Sequence, residues 1–125
     1  MAKTQKVVLI VDDSPLITKV VGAVVTAMGH HAVEVPDAPS ALMTAETLPP
    51  DLVFLDLHMP EMSGLEMLAR MRSIPGLSKV PVVLLTSSRN TEVVTQAAKY
   101  GVKDYLSKPA TPTKIRQKVN KYLGS

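Results

Sequence analysis

Short runs of consecutive apolar residues alternate along this chain with longer stretches in which apolar residues recur every three or four positions. Val7 to Val11 (VVLIV), Leu52 to Leu55 (LVFL) and Val82 to Leu85 (VVLL) are unbroken, as strands covered on both faces are. His31 to Val35 (HAVEV) alternates and Val102 to Leu106 (VKDYL) is more polar, so both read as edge strands. The stretches between them carry helix signals. Ser14-Pro15 predicts a cap followed by proline at the first helical position. Leu16, Ile17, Val20, Val21, Val24, Val25 and Met28 then trace one face as far as Gly29. A second helix is expected from about Asp37 to Thr47, with Pro39 in its first turn and Pro49-Pro50 beyond its end. A third runs from near Ser63 to about Ser73, before Pro75-Gly76. A fourth starts near Asn90 or Thr91 and ends at Gly101. The last opens at Thr111-Pro112 and buries Ile115, Val119, Tyr122 and Leu123.

A strand–helix pair repeated five times predicts an α/β fold with a parallel sheet and helices on both faces. Three central and two edge strands suit a flavodoxin-like doubly wound order, 2-1-3-4-5. No internal repeat or low-complexity tract interrupts it. The expectation is one domain over residues 1–125, with no second domain after the last helix. No apolar run reaches bilayer-spanning length, and MAKTQK lacks a secretory signal's apolar core. A cytoplasmic protein without membrane insertion is therefore expected. The absence of cysteine excludes disulfides, thiolate metal sites and cysteine nucleophiles.

Charge changes this picture locally. Residues 99–125 carry Lys99, Lys103, Lys108, Lys114, Arg116, Lys118 and Lys121 against Asp104, a net +6, whereas residues 1–98 carry −3. A basic C-terminal third attracts nucleic acid or an acidic partner. Three tyrosines and no nucleic-acid motif accompany it, which favours a solvated helix face over nucleic-acid binding. Lys99, Lys103, Lys114 and Lys118 are then candidates for meeting an acidic protein surface.

The chemistry gathers where strands end. In a sheet of this order the binding crevice lies beyond the carboxyl ends of strands 1 and 3. Strand 1 ends in Asp12-Asp13 and strand 3 in Asp56. Like charges about 4 Å apart repel by about 4 kcal/mol at an effective dielectric of 20. A hard divalent cation relieves this, and Mg²⁺ is commonly held by one or two carboxylates together with phosphate oxygens and water. One aspartate after a strand often merely caps a helix. Here Ser14 takes the cap position, and Asp56 leads into His58-Met59-Pro60 rather than a helix start. Strand 4 runs into Thr86-Ser87-Ser88 and strand 5 into Ser107, Lys108 and Pro109. Either alone is an ordinary turn or surface residue. Beside three aspartates they suggest an anion-receiving site, suited to phosphoryl transfer onto Asp56.

Asp12-Asp13, Asp56 with the following MPEMSG, Thr86-Ser87, Tyr105 and Lys108-Pro109 occur in an order that resembles the receiver domains of bacterial two-component response regulators. The resemblance runs the length of the chain and is nearest to stand-alone receivers of the chemotaxis or phosphorelay type. It implies a signalling protein rather than an enzyme acting on an external substrate. Asp56 would be the phosphoacceptor, supplied by a histidine kinase or histidine phosphotransfer protein. Asp13, Asp56 and the backbone carbonyl of His58 would bind Mg²⁺, with Asp12 acting through water. Lys108, its bond to Pro109 cis, would pair with the phosphoryl oxygens. Thr86 and Tyr105 would move on phosphorylation and reshape a surface of helix 4, strand 5 and helix 5, where a downstream protein binds. Family positions that tune dephosphorylation are His58 and Ser88.

Other classes fit less well. A flavin binder would want a phosphate-cradling Ser/Thr/Gly loop where Asp12-Asp13 stand. A phosphatase with an aspartate nucleophile would carry a second aspartate at the position of His58. A pseudo-receiver, which keeps the fold without phosphorylation, typically lacks part of the set formed by Asp12, Asp13, Asp56, Thr86 and Lys108. A receiver cut from a larger regulator is a further alternative.

Overall fold

The structure, a computed structural model, describes residues 5–59, 62–86, 91–102 and 104–124. Lys103, Ser87, Ser88, Asn90 and the Pro60-Glu61 pair, all drawn on above, lie outside the described residues. The strands are β1 (Val7–Val11), β2 (His31–Val35), β3 (Leu52–Asp56), β4 (Val82–Thr86) and β5 (Asp104–Ser107). The helices are α1 (Pro15–Ala27), α2 (Ala38–Thr47), α3 (Gly64–Ser73), α4 (Thr91–Ala98) and α5 (Pro112–Leu123). A short 3₁₀ turn, Pro75–Leu77, follows α3. The five strands are parallel and ordered β2-β1-β3-β4-β5, the arrangement expected from the alternation.

The unbroken apolar runs follow from burial on both faces. Side chains alternate along a strand with period two, so each run feeds two separate cores. Leu9, Val11, Val53, Leu55, Val82 and Leu84 pack under α2 and α3. Val8, Ile10, Leu52, Phe54, Val83 and Leu85 pack under α1 and α5. Phe54, the chain's one phenylalanine, is fully buried in the second core. Met67 and Met71, on α3, are fully buried filler in the first.

Several local expectations shift. Leu16 is 71% exposed rather than on the core face. Thr18, Val21, Gly22 and Val25 take the inward positions, and Leu16 precedes Thr18 by two residues, about 200° around a helix. Asp37, Ser63 and Thr111 cap α2, α3 and α5 through their side chains, accepting from Ser40, Glu66 and Lys114 N–H. Ser14 occupies the cap position of α1 without a side-chain bond. The β5 strand starts two residues late, at Asp104, leaving Val102 buried ahead of it. The α4 helix closes at Ala98, three residues short of Gly101. Tyr122 and Leu123 are half-buried rather than core.

The first residue of β5 is held by a clamp. Asp104 is 9% exposed, and Lys118 Nζ lies 2.6 Å from its Oδ1. Lys121 Nζ and the Tyr122 hydroxyl donate to Oδ2 at 2.9 and 2.8 Å. Burial alone would raise this carboxyl, but the bonds from Lys118, Lys121 and Tyr122 hold it at about 2. Lys118, expected to face an acidic partner, is thus tied with Lys121 to β5. Since the folded value lies below the ordinary 3.8, the clamp contributes stability above that value and loses it as pH falls toward 2. Denaturant titrations of the native protein and Asp104→Asn should show this. The native protein should lose its advantage over the variant between about pH 4 and pH 2, and the variant should be the less stable at neutral pH.

Candidate functional site

Register brings the acidic residues together. β1 pairs with β3 so that Val11 lies opposite Leu55, and the next residues, Asp12 and Asp56, leave the sheet at the same edge. One oxygen each from Asp12, Asp13 and Asp56 lies within 4.8 Å of the others. Asp12 and Asp56 are buried, at 1% and 4% exposure, while Asp13 is exposed.

Each buried carboxylate has one oxygen fixed by the turn that follows it. Asp12 Oδ1 accepts from Ser14 N at 2.9 Å, and Asp56 Oδ1 accepts from His58 N at 3.0 Å. The Asp12 bond braces the turn leading into α1, whose cap position Ser14 occupies. The second oxygens face Lys108, whose Nζ lies 3.0 Å from Asp12 Oδ2 and 3.8 Å from Asp56 Oδ2. The shorter contact is an ion pair without hydrogen-bond alignment, for Asp12 Oδ2 is fully buried and has no hydrogen-bond partner among the described residues. Burial pushes the Asp56 carboxyl above the ordinary 3.8. The His58 N–H pulls it down, Asp12 pushes it up, Lys108 pulls it down and Asp13 pushes it up.

The other site residues arrive on neighbouring strands. Thr86 ends β4 and is buried, and its carbonyl accepts from Lys108 N at 2.7 Å. The Lys108–Pro109 peptide that follows is cis. His58 sits on the loop after β3 and contributes backbone to it. Tyr105, opposite Leu84 on β5, stands apart and is 44% exposed.

Three carboxylates against one ammonium leave excess negative charge, and every converging donor is oxygen. A buried oxygen without a hydrogen bond is an acceptor in need of a partner. This chemistry fits a hard divalent cation carrying its own water.

Gly64 is a site residue that sequence reading carried only as part of a motif. A Cβ there would stand 2.6 Å from Asp56 O, 2.7 Å from Leu57 Cα and 2.8 Å from Leu57 Cδ2. Its N–H donates to Leu57 O at 3.2 Å. The start of α3 thus rests directly on the Asp56–Leu57 backbone, and only glycine permits that approach. The sequence signal was a glycine directly after a helix cap, where a better helix former would normally stand.

Residues 8–120 match the family model described as "Response regulator receiver domain". The DNA-binding response regulator MtrA of Mycolicibacterium smegmatis is 33% identical over 116 residues, covering 93% of this chain and 50% of that protein. The chain spans half or less of the length of the first curated relatives it matches. Among solved structures, the chemotaxis protein CheY4 of Vibrio cholerae superposes with a TM-score of 0.90 at 25% identity, covering 94% of this chain and 98% of that one. The Mn²⁺-bound form of response regulator Rcp1 gives 0.84 at 28%, covering 96% of each.

Asp56→Asn should raise the thermal midpoint in metal-free buffer, because it removes a buried charge beside two others. The gain over the native protein should shrink when millimolar Mg²⁺ is added, and differential scanning calorimetry in both buffers measures it. Gly64→Ala should destabilise by roughly 1–3 kcal/mol in urea, the usual range for overpacking. It should also weaken divalent-cation binding by displacing the Asp56–Leu57 backbone, as read by calorimetric titration.

Proposed function

The chain belongs to the response regulator receiver family of two-component signalling systems, and from that membership we propose that it is a switch phosphorylated on Asp56. The observation that carries this is Asp56 itself, buried at the end of β3, with Lys108 Nζ 3.8 Å from Oδ2 and two further carboxylates in reach. The His58 N–H already occupies Oδ1, so Oδ2 is the oxygen left to attack. It bonds to phosphorus of a phosphohistidine on a kinase or phosphotransfer protein. The phosphorus–nitrogen bond breaks, the imidazole nitrogen keeps the electron pair, and an acyl phosphate remains.

Asp13, Asp56 and the His58 carbonyl would hold Mg²⁺, with Asp12 acting through water, and the ion would supply positive charge to offset the incoming phosphoryl group. The phosphoryl group adds about −1.5 to −2 charge. Lys108 is placed to follow it, because its ammonium already bridges Asp12 and Asp56. Thr86, at the adjoining strand end, would turn its hydroxyl toward the phosphoryl oxygens, and Tyr105 would swing inward from its exposed position. A switch from 1:99 to 99:1 needs about 5.5 kcal/mol of differential interaction, which a few charge-assisted bonds supply.

The face that changes would be α4, β5 and α5, in contact with a downstream protein and without nucleic acid. Two of its lysines are committed within the fold, because Asp104 holds Lys118 and Lys121. Lys114, half-buried with its Nζ near Ser107, and Arg116 are the cations left on α5 to meet an acidic partner. We place this exchange in the cytoplasm, among the protein's kinase and target. Among the described residues no helix is long and apolar enough to cross a membrane.

Intact mass after incubation with acetyl phosphate tests the reading. The native protein should gain one phosphoryl group only when Mg²⁺ is present, and Asp56→Asn should gain none. Equal labelling of the variant, or no labelling of the native protein together with failure to bind beryllofluoride, overturns it.

A further inference from the structure

At the sheet edge opposite the aspartates, the segments entering β4 and β5 border an open cleft of about 510 Å³. Arg72, Lys79 and Lys99 line it beside Ser78, Val80 and Tyr100, and among the described residues no acidic one does. None of the three cations is in an ion pair among the described residues. A second cleft of about 530 Å³ continues from it through Ser78, Lys79, Val80 and Pro81. It contains Asp51, whose carboxylate is engaged by Val7 N at 2.8 Å.

Arg72 is held in place by the backbone around it. Its Nε donates to Tyr100 O at 2.8 Å, and its Nη1 to Leu77 O and Val80 O at 3.0 and 2.9 Å. Three of five donors are thus committed to carbonyl oxygens, which solvate the guanidinium without neutralising it. The Nη2 group has no partner among the described residues, and it is not closed off from solvent. Burial also pushes the Arg72 guanidinium down, as expected for a cation short of water. A guanidinium already ordered loses little freedom on meeting an anion. The two flanking lysines add mobile charge.

We infer that this cleft binds a phosphate group, with Arg72 Nη2 as the fixed donor and Lys79 and Lys99 closing on the anion. The planar fork of arginine matches phosphate oxygens, and the volume lies within the range of small-ligand sites. The cleft admits the anion free or as part of a nucleotide, since the exposed face of Tyr100 lies at the same cleft.

Amide chemical shifts of the full chain, titrated in metal-free buffer with inorganic phosphate, pyrophosphate and ATP in turn, test this. Saturable shifts at residues 78–81 and 99–101, with Kd about 1 mM or tighter for pyrophosphate, are expected. ATP binding more tightly than pyrophosphate identifies an organic ligand that uses Tyr100; equal affinity identifies the phosphate alone. Lys79→Glu with Lys99→Glu should weaken binding at least about tenfold, leaving Arg72 and its backbone bonds untouched, while Lys114→Glu should not. Absence of saturable shifts overturns the site. So does binding that survives the double reversal, that weakens equally in Lys114→Glu, or that shifts only residues 12, 13, 56–58 and 108.

Discussion

The pairing of β1 with β3 is the constraint on which the acidic site rests. Parallel strands in that register must release Asp12 and Asp56 side by side, and the carboxylates have no independent reason to approach one another. Their repulsion is borne by the sheet, whose two buried faces hold the register through Leu9, Val11, Val53 and Leu55 on one side and Ile10 and Phe54 on the other. A one-residue slip would exchange the two faces of a strand. The core therefore stabilises an electrostatically unfavourable arrangement, and that arrangement can receive a cation or respond to added charge.

The two edges of the sheet carry opposite charge for related reasons. At the carboxyl edge, residues that follow strands present side chains and N–H groups into one crevice, and the acidic ones are gathered there. At the amino edge, helix ends and turns present carbonyl oxygens, and Arg72 collects three of them. The same Arg72 bonds link the end of α3 to the turn before β4 and to the chain leaving α4. Elsewhere Asp104 does the equivalent for β5 and α5, with two lysines and a tyrosine on one carboxylate. Charge here ties the outer helices to the sheet as well as shaping sites.

Much of the fold was legible because its signals are local. Unbroken apolar runs mean strands covered on both faces, and Pro at the start of α1, α2 and α5 marks helix entry. Strand order followed from topology rules, and the family resemblance agrees with the match over residues 8–120. What was misread depended on neighbours. Leu16 looked like a core residue because helical periodicity alone does not say where a stripe begins. Lys118 looked free because Asp104 lies fourteen residues away in sequence.

Sequence by itself determined the element types, the placing of aspartates at strand ends, and the uneven charge along the chain, because each depends on residue identity and short spacing. Tertiary structure decided which charges meet. It set Lys108 between Asp12 and Asp56, left Asp12 Oδ2 buried without a hydrogen bond, and pressed Gly64 onto the Asp56–Leu57 backbone. It also removed Lys118 and Lys121 from the free basic surface. Such contacts depend on angstrom-scale distances between residues remote in the chain, and only the packed sheet and helices define those distances.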